Sequence, residues 1–196
     1  YDVTVTGEAN HAGSTAMADR KDALVAAAGF INKVPEIVKE YGNEFTVATV
    51  GTIKVTPHSV NVIPGTCTFS LEIRDQSAEV MKLIENHLRQ LLEDICEKYG
   101  VTATFVPTSY HDPAPMSELV RGTIEDAVKE LGIDYTVIPS GAFHDSLIMT
   151  SVFPTGMIFV PSKDGISHSR YEYTAPEDIE NGCNVLLNTV LKLDEK

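Results

Sequence analysis

The chain is short of basic residues. Its 15 Lys and Arg face 28 Asp and Glu in 196 residues, a formal net charge of −13. Phosphate recognition needs clustered Lys and Arg, so this balance excludes nucleic acid as a partner. The acidity sits in no tail. Residues 1–113 carry 9 basic and 15 acidic side chains and residues 114–196 carry 6 and 13, which reads as solubility. Cysteine is scarce too. Cys67, Cys96 and Cys183 are odd in number and widely spaced, which excludes a disulfide framework and suggests reduced packing residues of a cytoplasmic protein. No apolar stretch approaches the ~18 residues of a membrane span. GxGxxG, P-loop, CxxC and GxSxG patterns are absent, so nucleotide, zinc-ribbon and serine-hydrolase chemistry have no direct support. Signal peptide and initiator Met are also missing. The opening YDVTVTGE alternates like a strand, and the expectation is a piece of a longer polypeptide.

What is present falls into two patterns. In the first, Val3 and Val5 mark a strand, and a loop covers 9–18. Asp19 is the expected N-cap of a helix to about Glu40, with Pro35 near a kink or break. EFTVATVGTIKVT (44–56) and TCTFSLEIRD (66–75) read as strands, the second with Cys67, Phe69, Leu71 and Ile73 on one side. Ser77 caps a helix from Ala78 to Tyr99, with His87 on its apolar stripe, and VTATFVPTSY supplies a last strand. The order β-α-β-β-α-β predicts a ferredoxin-like two-layer unit, residues 1–113, with a four-stranded antiparallel sheet covered by helices on one face. Its bare face or an edge strand would meet a partner. HDPAP (111–115) has linker composition.

From residue 114 to 196 the pattern changes. A helix over 117–131, strands over 135–138 and 157–160, a short helix after His144-Asp145 and a final helix over 176–193 suggest part of a parallel α/β sheet. These elements are too few for an independent core of that type, so this segment is expected to complete a larger α/β domain.

Five polar residues stand out. His11 lies in a Gly-bearing loop, Asn61 before Val-Ile-Pro-Gly, and Arg74 at a strand end; His144 and His168 follow glycine-bearing turns beside apolar runs. Arg74 is suited to fork onto a carboxylate, and Asn61 and His11 to donate to a developing oxyanion. His168 is a candidate metal ligand, but a metal centre needs three or four ligands and no second His/Asp/Glu cluster is apparent. Taken singly, each also reads as ordinary: a solvated charge, a turn residue, a structural histidine.

Together, GEANHAGSTAMADRKDAL (7–24), SVNVIPG (59–65), FSLEIRD (69–75), SGAFHDS (140–146) and MIFVPSKDGISHSRYEYT (157–174) resemble the M20-type metal amidohydrolases. The specific group is the hydantoinase/carbamoylase enzymes: N-carbamoyl-L-amino-acid hydrolases, β-ureidopropionases and allantoate amidohydrolases. The resemblance implies an α+β lid and dimerisation domain (1–113) followed by the C-terminal part of an α/β metallo-exopeptidase-like catalytic domain (114–196). It implies two divalent metal ions, Zn or Mn, with most ligands and the general-base Glu lying upstream of Tyr1. A metal-held hydroxide would attack a non-peptide C–N bond of a ureido or carbamoyl acid. His168 would be a metal ligand and His144 a catalytic or substrate-side group oriented by Asp145. His11 would polarise the scissile carbonyl across a homodimer, and Asn61 and Arg74 would hold the substrate carboxylate. Two positions depart from the family: Phe143 stands where Gly is usual, crowding the turn, and Ala16 where Pro is usual, loosening the loop. The alternatives are an M20 peptidase or deacylase, or, for these 196 residues alone, an inactive dimerisation module.

Overall fold

A computed structural model describes residues 1–195. The chain divides into two compact units, Tyr1–Pro113 and Ala114–Lys196.

In the first unit the elements run β1 (Asp2–Thr6), β2 (Asn10–His11), α1 (Ala23–Tyr41), β3 (Val47–Thr49), β4 (Ile53–Thr56), β5 (Val62–Ile63), β6 (Thr66–Ser70), β7 (Glu72–Arg74), α2 (Ala78–Tyr99) and β8 (Thr102–Val106). β4, β6, β1 and β8 form a four-stranded sheet in that order, each neighbouring pair antiparallel. Alternation divides its faces. Val3, Val5, Cys67 and Phe69 are buried, and they share one core with Ala26, Phe30 and Val34 of α1 and Ile84, Leu88 and Leu92 of α2. The Phe30 and Phe69 rings lie 5.5 Å apart. The other face is hydroxyl-rich: Thr4 pairs with Thr68 and Thr104, and Thr6 with Thr66 and Thr102.

Helix ends follow from local chemistry, with one correction. Asp22, not Asp19, caps α1: its carboxylate accepts from the N–H groups of Leu24 and Val25, while Asp19 ends a separate short turn, Met17–Asp19. The helix also continues through Pro35 without the expected break. Pro35 is exposed while Phe30 and Val34 are buried, so the proline ring sits on the outer side of the helix and packing of the inner side holds the turn together. α2 runs as expected, from the Ser77 cap to Gly100 at φ 63°. His87 stacks on Tyr41 with ring centroids 3.5 Å apart, a packing role.

Both expected long strands are split. Residues 44–56 become β3 and β4, and 66–75 become β6 and β7. β4 pairs with β6 and β3 with β7. Between these ladders residues 50–52 oppose only residues 70–71, the one-residue excess of a β-bulge. The Ser70 hydroxyl accepts from the N–H groups of Gly51 and Thr52 there. The bulge sends β3 and β7, with Arg74, into a separate two-stranded ribbon.

The second unit contains α3 (Glu118–Leu131), α4 (Asp145–Met149) and α5 (Pro176–Asp194). α3 and α5 pack together, burying Thr123, Ala127 and Val128 on one and Val185 and Thr189 on the other. The strands expected over Tyr135–Ile138 and Met157–Val160 are not formed among the described residues. A strand is completed only by a neighbour's hydrogen bonds, and neither stretch has such a neighbour here. Their side chains show it: Val137 is 64% and Ile138 55% exposed.

Candidate active-site residues

His11 is delivered by β2, whose partner is β5. His11 lies opposite Val62, and the Ala12 N–H donates to the Asn61 carbonyl at 2.9 Å. The ribbon therefore straps the His11 and Asn61 loops side by side. Both side chains are exposed, and each has its acceptor engaged locally. The Gly13 N–H donates to His11 Nδ1 at 3.0 Å, and the Ser59 hydroxyl donates to Asn61 Oδ1 at 2.7 Å. What each leaves uncommitted is its other polar atom: Nε2 of the imidazole and the NH₂ of the amide.

Arg74 belongs to the β3–β7 ribbon and so is not on the strap that joins His11 to Asn61. Its Nη2 donates to Glu72 Oε1 at 2.6 Å in a pair whose side chains are 39% and 58% exposed. So exposed a pair contributes little.

In the second unit His144 is the N-cap residue of α4. The expected orienting role of Asp145 is not what the structure shows. Ser140 Oγ lies 3.0 Å from His144 Nε2, and the ring meets Phe159 edge-on at 5.6 Å. Asp145 opens the helix, where an acid suits the N-terminal end of the dipole. Phe143 is 50% exposed, so its ring is directed at least partly outward. Ala16 has φ −59°, the value a proline ring would impose, so the loop keeps that backbone angle without the ring.

His168 sits in the turn after Lys163–Gly165, with φ 55°. Left-handed backbone is costly for a residue with a Cβ. The Glu172 carboxylate holds it there, accepting the His168 N–H at 2.8 Å. No hydrogen bond or ring contact joins His144 to His168, and among the described residues no three His, Cys, Asp or Glu side chains gather to hold a metal.

Sequence reasoning missed Gly13, Arg20, Ser59 and Ser140, the groups that hold the candidates in place. Arg20 donates to the carbonyls of Ala12 and Thr15. The usable signal was a lone arginine ending the Gly-bearing loop HAGSTAMADR.

The family model described as peptidase family M20/M25/M40 matches residues 3–192. An N-carbamoyl-L-amino acid amidohydrolase of Geobacillus stearothermophilus is 39% identical over 97% of this chain and 46% of its own length. An allantoate amidohydrolase of Bacillus subtilis is 35% identical over 98% and 47%. Among solved structures, an amidase of the hydantoinase/carbamoylase family from Burkholderia multivorans superposes with a TM-score of 0.87 at 36% identity, covering 97% of this chain and 46% of that one. AtUAH in complex with glyoxylate gives 0.92 at 33%, covering 100% and 46%. The chain spans about half the length of the curated relatives it matches.

Proposed function

The chain belongs to peptidase family M20/M25/M40, and from that premise we propose that it works within an amidohydrolase cleaving the C–N bond of N-carbamoyl amino acids or allantoate-like ureido acids. Its first unit would be a ferredoxin-like lid and dimerisation domain, and its second a segment of the catalytic domain. The relatives named for these reactions support the reading. The observation in the chain itself that carries it is the strapped pair His11 and Asn61, each with one polar atom left uncommitted.

Such a pair suits a substrate whose carbonyl oxygen gains charge as its C–N bond is broken. A fixed N–H donor stabilises that charge without reorganising in the reaction. Arg74 exchanges Glu72 for the substrate carboxylate and orients the molecule along the lid. His144, held by Ser140, is a polar group on the catalytic side. The family implies two divalent metals, but the described residues offer one candidate ligand, His168, and no cluster. This donor set does not fit a metal centre by itself; the remaining ligands and the general base would come from the part of the relatives this chain does not span. The strain at His168 supports a functional reading of that turn. A homodimer through the first unit is supported by its sheet edges, β4 and β8, each paired on one side. The unpaired thiols Cys67, Cys96 and Cys183 suit a reducing, cytoplasmic setting.

The test is ammonia release by the full-length, metal-loaded protein supplied with N-carbamoyl amino acids or allantoate. His11→Ala is expected to lower kcat by about 10²–10³, and Arg74→Ala to raise KM for carboxylate-bearing substrates. Cleavage of dipeptides with no ammonia from either ureido class would overturn the reading in favour of an M20 peptidase.

A further inference from the structure

We propose that Gly13 and Arg20 are positioning residues that lock His11 as the tautomer with its proton on Nε2. The inference gives the donor role of His11 its structural cause, and its meaning rests on that reading.

A neutral imidazole has one N–H and one acceptor nitrogen. The Gly13 N–H donates to His11 Nδ1 at 3.0 Å, so the lone pair is on Nδ1 and the proton on Nε2. The contact depends on glycine for space, not for backbone angle. A Cβ on Gly13 would lie 3.2 Å from His11 Cε1 and 3.5 Å from Nδ1, pressing the ring away from the amide that orients it.

The amide must itself be aimed, and two devices aim it. The His11 carbonyl accepts from Thr15 N at 3.1 Å and Thr15 Oγ1 at 2.8 Å, closing the loop from within. Arg20 then clamps it from outside. Its Nη2 donates to Ala12 O at 2.5 Å and to Thr15 O at 3.1 Å, and its Nε to Thr15 O at 3.2 Å. These carbonyls flank Gly13 on both sides, so the rigid fork of one guanidinium sets the direction of the peptide between them. Arg20 is half-buried while His11 is exposed, so the clamp is partly shielded from solvent and the imidazole is open to it.

Solution NMR of the 15N-labelled chain, above the ordinary titration range of imidazole, tests this directly. Wild type is expected to show scalar coupling across the N–H···N bond between the Gly13 amide nitrogen and His11 Nδ1, with the ring proton on Nε2. Arg20→Gln is expected to lose that coupling while the amides of β1, β6 and β8 keep their shifts. Arg20→Lys, which keeps the charge without the fork, should recover only part of it. Gly13→Ala should lose the coupling through the Cβ contact, and it carries the test should Arg20→Gln not fold. A wild-type ring protonated on Nδ1, no coupling in wild type, or full coupling in Arg20→Gln, Arg20→Lys or Gly13→Ala overturns the proposal. No substrate or metal enters these measurements. The lock can therefore stand even where His11→Ala leaves hydrolysis by the full-length protein unchanged, a result that would sink the role of His11 alone.

Discussion

In the first unit Val3, Val5, Phe30, Phe69, Ile84 and Leu88 are each at most 1% exposed, whereas in the second Leu186, Leu187, Val190 and Leu191 of α5 stand 54–56% exposed. The two regions are written in the same apolar alphabet. They differ in whether the facing surface is supplied by the same stretch of chain. In the first, α1 and α2 close over the inward face of the sheet and bury its apolar residues. In the second, α3 and α5 bury one seam between them and leave a second apolar stripe of α5 facing outward. Apolar periodicity thus specifies an element, but a core also requires the opposite layer.

The largest test of this contrast deletes an apolar side chain from each unit. Phe69→Ala should cost about 3–5 kcal/mol, and Leu187→Ala, already 56% exposed, about 0.5 kcal/mol or less. Amide hydrogen exchange read separately on α2 and α5 checks both, since protection reports each region's own opening. Equal losses in the two units would erase the distinction.

A smaller effect belongs to Glu85, whose side chain is 11% exposed beside Lys82 and Arg89. Burial pushes its carboxyl up, but hydrogen bonds from Lys82, Arg89 and the Tyr1 hydroxyl outweigh this and hold it below its ordinary value. Burial, with Glu85 as hydrogen-bond partner, pushes Tyr1 up to about 12. A depressed folded value means the stabilisation is complete above the ordinary carboxylate pKa of about 4.3 and is lost as pH falls through the lower folded value. Glu85→Gln should cost about 1–3 kcal/mol near neutrality, and the cost should shrink in acid. Urea titrations of both proteins across that range would show it; a pH-independent difference would remove Glu85 as the cause.

The smallest effects are gains. Gly122 lies inside α3 with nothing within 4 Å of its missing Cβ, so Gly122→Ala should stabilise the second unit by about 0.5–1 kcal/mol. In the first unit Ala16→Pro meets a φ of −59° and should add about 0.4–1 kcal/mol. Thermal unfolding of each variant decides the sign. A loss at position 16 would mean that the loop needs the alanine N–H.

Legibility in the sequence followed the range of the interaction. The Ser77–Gly100 helix was readable because a cap, a stripe and a left-handed stop are all local. The start of α1 was misplaced because Asp19 and Asp22 are equally good caps by type, and residue type alone does not say which of two neighbouring acids opens the helix. The break between β6 and β7 was invisible because a bulge is a property of two strands counted against each other. The candidate site divides in the same way. His11, Asn61, Arg74, His144 and His168 were legible as residue types in motifs. The backbone strap from Ala12 to Asn61 was not, since it depends on where another segment lies; Ser140 beside His144 and the clamp at Arg20 were not either, because a loop's local path is not fixed by residue type.

The linear order of residues by itself determined where the long helices lie, give or take a turn at α1, that strands alternate with them in the first unit, and the identity of the polar groups offered for chemistry, because those follow from propensity, periodicity and side-chain type within a few neighbouring positions. Tertiary structure alone decided which ladder each half of a long strand joins, and that the His11 and Asn61 loops are strapped together while Arg74 sits on a separate ribbon. Hydrogen bonds between distant segments settle such questions, and their partners are chosen only once the chain has folded.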